Sequence, residues 1–192
     1  MRLGALALTA GFLLASSRAV GQDRKFVEAK IREWQRAIDR DPGDFEHLAA
    51  IGAAYGKLGD YSTAVKYFKR AIAVNPSYAE AYKNLGAAYG SLRRPNEAIH
   101  ALKKAIQLEP TDPYAHGKLG TTLGKTGRYS EAIVELKEAI RLKPDLPEAH
   151  FALGLAYLES GNRSQAAQQV KTLSQLDATL ASRLKELVDQ TR

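Results

Sequence analysis

The feature that most limits what this chain can fold into is a segment that recurs at a constant offset of 34 residues. Leu48-Ala-Ala-Ile-Gly52-Ala-Ala-Tyr55, Tyr82-Lys-Asn-Leu-Gly86-Ala-Ala-Tyr89, His116-Gly-Lys-Leu-Gly120-Thr-Thr-Leu123 and His150-Phe-Ala-Leu-Gly154-Leu-Ala-Tyr157 follow one another at that spacing. Ala64, Ala98, Ala132 and Ala166 recur with them, as do Ala71, Ala105 and Ala139, and then Pro76, Pro110 and Pro144. A unit this short cannot bury its apolar face alone, so neighbouring copies must stack into one continuous core. Four copies, at 45–78, 79–112, 113–146 and 147–180, are enough for such a stack.

Each recurring residue has a physical reason. Gly52, Gly86, Gly120 and Gly154 lie on the face of a first helix where a second must come close, and the alanines at 64, 98, 132 and 166 supply the matching small surface. Tyr55, Tyr89 and Tyr157 fill the wider space one turn on, with Leu123 in the third copy. Pro76, Pro110 and Pro144 end each second helix, because a proline pushes its predecessor out of helical geometry. Gly59, Gly127 and Gly161 supply the turn inside a hairpin. The second copy departs here, with Arg93-Arg94-Pro95, where Pro95 takes the first position of the next helix.

These residues carry a resemblance to the tetratricopeptide-repeat family, which implies an all-α fold: a right-handed α-solenoid of four helical hairpins. In that family the first helices line a concave groove. The resemblance implies groove positions at Glu46, Ala49, Ala53 and Lys57; at Glu80, Lys83, Asn84 and Ala87; at Tyr114, Lys118, Thr121 and Lys125; and at Glu148, Phe151, Leu155 and Leu158. Of these, Lys57, Lys83, Asn84, Tyr114, Lys118, Thr121 and Lys125 are the expected partner-binding residues. Lys83, Asn84, Lys118 and Lys125 predict a basic middle to the groove, suited to an acidic or carboxylate-bearing extended peptide. The carboxylate-clamp repeats of chaperone-binding proteins are similar only at Asn84 and Lys118. Ala49, Ala53 and Tyr114 replace the clamp's other polar residues.

Both ends of the array read as caps. Residues 24–40 form an amphipathic helix with Val27, Ile31, Trp34 and Ile38 on one stripe, inside an amino-terminal cap at 22–44. The tail at 181–192 forms a carboxy-terminal cap, with Leu180, Leu184, Leu187 and Val188 on one face. It is expected to cover the stripe of Phe151, Leu155 and Leu158, which would otherwise serve as a binding or homodimer contact. Ahead of the repeats, Met1-Arg2, an uncharged apolar stretch over 3–15 and the small residues Ser17, Ala19 and Gly21 describe a signal peptide at 1–21, cleaved after Ala19 or after Gly21. The apolar stretch is shorter than the roughly 20 residues that span a bilayer, so no stable membrane insertion is expected after cleavage.

Little in the sequence supports catalysis. The absence of cysteine removes disulfides, thiolate metal sites and a cysteine nucleophile. The formal charge of +7 is spread among alternating acids and bases, which reads as a solvated surface with no nucleic-acid partner. Gly120-Thr-Thr-Leu-Gly124-Lys125-Thr126 has one residue too few between its glycines for a phosphate loop and falls within a helix. His116 and His150 occupy equivalent positions without a convergent third ligand and read as packing residues. Asn162-Arg163-Ser164 is either a glycosylation sequon or a helix start, Asn162 capping with Gln165 three residues on. The expectation is an exported, non-catalytic scaffold without cofactor or metal. The alternative is an accessory subunit docked permanently to an enzyme or envelope-assembly complex.

Overall fold

The computed structural model describes residues 24–190, so the expected export segment at 1–21 lies outside the described residues. Ten helices and no strand occur among the described residues. Helix α1 occupies 24–40; α2 and α3 are Phe45–Lys57 and Tyr61–Val74; α4 and α5 are Ala79–Ser91 and Pro95–Leu108. Next come α6 and α7 at Pro113–Lys125 and Tyr129–Leu142, α8 and α9 at Pro147–Glu159 and Arg163–Leu176, and α10 at Ala178–Gln190. The described residues divide into two compact units, the first ending at Val74 and the second starting at Asn75. In the first, α2 packs on α3. In the second, α4 pairs with α5, α6 with α7 and α8 with α9, while α4 meets α6 and α6 meets α8 along the stack.

The four alanines at 64, 98, 132 and 166 are all fully buried. The glycines opposite them meet a large side chain as well as a small surface. A Cβ on Gly120 would stand 2.5 Å from Leu136 Cγ and 3.0 Å from the Ala132 carbonyl oxygen, so helix α7 approaches closely only because that carbon is missing. In the last hairpin the close partner changes. The atoms nearest to a Cβ on Gly154 belong to Leu184 of α10.

Each hairpin turn closes in the same way. The N–H groups of Asp60, Arg94, Arg128 and Asn162 reach back to the carbonyls of Tyr55, Tyr89, Leu123 and Tyr157, at 2.9, 2.9, 3.0 and 2.7 Å. This closure needs one left-handed residue, which relieves the last carbonyls of the helix. Gly59, Gly127 and Gly161 supply it with φ of 82, 77 and 80°, and in the second hairpin Arg93 does so at φ 57°. Pro95 opens α5 as expected. Asn162 does not cap α9 with its side chain, because its Nδ2 turns back to Ser160 Oγ at 3.0 Å; the cap expected from the sequence is absent.

The tail forms a helix that starts at Ala178, ahead of the expected 181, because α9 and α10 are joined by Asp177 alone with no proline-bearing connector. Asp177 Oδ1 accepts from the N–H groups of Thr179 and Leu180, both at 2.9 Å. Ala181, Leu184 and Val188 are buried, whereas Leu187 points to the outside at 38% exposure. Leu180 joins Phe151, Leu155 and Leu158 at the edge of the core, and the Arg183 guanidinium lies 5.2 Å from the Phe151 ring centre. The apolar stripe of the last repeat is half-buried, and α10 reaches it at Phe151 through Arg183.

Candidate functional site: the faces of the first helices

In the second unit the side chains expected to meet a partner come from α4, α6 and α8. On α4, Glu80 sits at the centre of a closed network. It pairs with Lys83 and accepts from Asn84 Nδ2 at 2.9 Å. Lys83 also reaches Asp112 Oδ2 at 2.8 Å, and both side chains of that second pair are nearly buried, 14% and 12% exposed. Asp112 has two roles, since its Oδ1 accepts from the N–H groups of Tyr114 and Ala115 at the start of α6. Burial is the strongest single influence on the Asp112 carboxyl and disfavours its charge. The hydrogen bond and charge of Lys83, with the two N–H groups, outweigh it and hold its pKa below the usual value. Lys83 behaves correspondingly: burial pulls its pKa down, but bonds to Asp112 and Glu80 raise it above normal. Lys83 and Asn84, expected to meet a partner, are thus engaged within the protein. Asp112 escaped sequence reasoning, although its place just before α6 marks a helix start.

Helix α6 differs from its neighbours in charge. It contains no acidic residue, and Lys118 and Lys125 are exposed. Neither has an ion pair or hydrogen bond among the described residues. Tyr114, 44% exposed at the head of the helix, accepts a 2.6 Å bond from Lys143, which also lies 5.0 Å from the ring centre. That bond is the main cause of an elevated Lys143 pKa. Thr121 donates to the Gly117 carbonyl at 2.8 Å, leaving its oxygen as an acceptor. By contrast α4 balances Glu80 with Lys83, and α8 carries Glu148 and Glu159 without a base.

The first unit presents a different surface. Lys57 is exposed and Ala53 half-buried, and both line a pocket of about 260 Å³ with Phe26, Val27, Lys30 and Trp34 of α1. Ala49, expected at a partner-facing position, is buried at 5% exposure. Phe26 is 65% exposed and was not singled out from sequence, since it lies off the stripe of Val27, Ile31, Trp34 and Ile38.

His116 and His150 are structural linkers. His116 is 7% exposed, with Nδ1 2.7 Å from Glu135 and Nε2 3.1 Å from the Pro110 carbonyl. His150 repeats the arrangement with Gln169 at 2.8 Å and the Pro144 carbonyl at 2.9 Å. Each ring ties the loop before a first helix to the second helix of the same hairpin. The near-match to a phosphate loop at 120–126 lies in α6 and its end, where backbone N–H groups serve the helix.

Helical hairpins of fixed length, close glycine contacts and left-handed turns define a repeat-built interaction module. The chain belongs to the tetratricopeptide-repeat family. It matches the family described as TPR repeat at 52–92 and 124–161, and two described as tetratricopeptide repeat at 79–112 and 101–134. Among solved structures, MamA is similar with a TM-score of 0.74 and 28% identity, covering 84% of this chain and 94% of that one. A thermophilic TPR protein of Thermus thermophilus, TTC0263, gives a TM-score of 0.68 and 28% identity, covering 91% and 94%. YrrB, described as a TPR protein with an unusual peptide-binding site, gives 0.71 and 22% identity over 91% and 87%, a likeness of fold. Comparison with curated protein sequences gives no match. The all-α solenoid class and a protein-interaction scaffold follow from these likenesses.

Proposed function

We propose that this protein is an exported, non-catalytic scaffold that holds an acidic peptide or protein segment against the first-helix faces of its repeats. The observation that carries the reading is the state of α6: two exposed lysines without partners on a helix that has no acid. Several other cations of the second unit are engaged internally. Arg94, Arg128 and Arg141 pair with Glu97, Glu131 and Glu138, and Lys83 is shared by Glu80 and Asp112. A base left free beside Tyr114 and the Thr121 oxygen suits carboxylates together with the N–H groups of an extended chain. The apolar leader at 1–21 supports export.

Capture of partners from the periplasmic or secreted fraction tests this. Lys118→Ala/Lys125→Ala should weaken recovery of the partner by about tenfold, corresponding to two exposed ion pairs of roughly 0.5–1 kcal/mol each. Undiminished recovery at equal protein concentration would refute recognition through this face and favour permanent docking through the second helices.

A further inference from the structure

A separate feature of the second unit lies at the turn between α4 and α5, where a notch of about 510 Å³ opens against the end of α6. Two cations line it, Arg93 and Lys125, and no acid does. Arg93 is exposed, and its guanidinium has no partner among the described residues, whereas the adjacent Arg94 is committed to Glu97 and to the Tyr89 ring. Lys125 is likewise exposed and unpaired. Besides Gly90 and Pro95, three hydroxyl residues line it, and each hydroxyl already donates its proton to the backbone. Ser91 donates to Ala87 at 3.2 Å, Thr122 to Lys118 at 2.7 Å and Thr126 to Leu123 at 2.8 Å. The notch therefore offers two positive charges and hydroxyl oxygens that only accept.

The backbone supplies an independent indication. Arg93 holds φ 57° at the position where the other three hairpins have glycine. A side chain in that conformation costs about 1–2 kcal/mol, and strain of this kind concentrates at functional positions. The strained geometry presents a guanidinium at the rim of the notch that a glycine would lack.

We propose that the notch is a carboxylate subsite that takes an aspartate or glutamate side chain of an extended peptide, with neighbouring peptide N–H groups donating to the hydroxyl oxygens. The inference rests on the acidic-peptide reading above and adds a place and a register to it. Arg93 and Lys125 hold the carboxylate, and Thr122 and Thr126 orient the backbone beside it.

The test uses amide chemical shifts of the full-length protein titrated with an acetylated, amidated Ala-Asp-Glu-Asp-Ala peptide and its Ala-Asn-Gln-Asn-Ala counterpart. The acidic peptide should shift the amides of Ser91, Arg93, Thr122, Lys125 and Thr126, and the neutral one should not. Arg93→Gly retains the turn geometry and should weaken binding about fivefold, as should Lys125→Ala. Shifts centred on Lys118 and unaltered by Arg93→Gly would overturn the subsite and leave face binding standing. Equal shifts with the neutral peptide would overturn the carboxylate assignment, and shifts with neither peptide would overturn the subsite.

Discussion

Gly120 and Gly117 lie one turn apart on α6, and alanine at each should change stability in opposite directions. In a helix interior alanine is favoured over glycine by about 1 kcal/mol, so without tertiary contacts both substitutions would stabilise. At Gly117 the new carbon would lie 3.8 Å from Leu146 Cδ2 and 3.9 Å from Ala139 Cβ, ordinary contact distances. At Gly120 it would lie 2.5 Å from Leu136 Cγ and 3.0 Å from the Ala132 carbonyl oxygen, and Leu136 is only 1% exposed. Leu136 has no solvent-side space to yield into, and the backbone oxygen moves only with α7. Overpacking of this kind costs about 1–3 kcal/mol, with the backbone contact placing it in the upper part. Net of propensity, Gly120→Ala should destabilise by about 1–2 kcal/mol and Gly117→Ala should stabilise by up to about 1 kcal/mol. Urea titration followed by far-ultraviolet circular dichroism measures both. Truncating the clashing side chain provides the cross-check: in a Leu136→Ala background, Gly120→Ala should cost clearly less than in the parent, the contact with the Ala132 carbonyl oxygen being what remains. A Gly120→Ala protein as stable as the parent would refute the account of how these helices meet.

Other consequences follow from single residues. Arg93→Gly should raise stability by about 0.5–1 kcal/mol, the relief of the left-handed strain less the extra freedom of glycine in the unfolded chain, read by urea titration. Asp112→Asn keeps the helix cap but removes the charge facing Lys83, and should cost about 1–3 kcal/mol at neutral pH. The native Asp112 pKa is depressed, so its contribution is complete above the unfolded value near 4 and is lost as pH falls through the lower folded value. The parent should therefore lose more stability than Asp112→Asn as the pH is lowered below the unfolded value near 4 in acid titration. Export predicts a mature amino terminus at Val20 or Gln22, and peptide mass mapping that recovers Met1–Arg2 on the mature protein would contradict it.

The hairpins were legible because their signals are local and repeated. Glycine, alanine and proline at fixed offsets each answer a steric demand of one turn or one crossing. The left-handed turn at Arg93 was visible only as a missing glycine, since backbone torsions impose the conformation whatever residue occupies it. The site was less legible. Lys83 has the spacing of a partner-facing lysine, yet it is taken by Asp112, which lies in the loop before the next first helix. Charge counts along one helix do not reveal such a pair. For the same reason the unpaired state of Lys118 and Lys125 became evident only once the acids around α4 had been placed. Helix α10 starts early because the single residue Asp177 replaces the proline connector, and no local signal marks Leu184 as the side chain that lies against Gly154.

Hydrogen–deuterium exchange of the protein with and without its captured partner tests the central claim most directly. Recognition by the first-helix faces predicts slowed exchange in α4 and α6, greatest around Lys118 and Lys125, with α5, α7 and α9 unchanged. Protection confined to those second helices would contradict it.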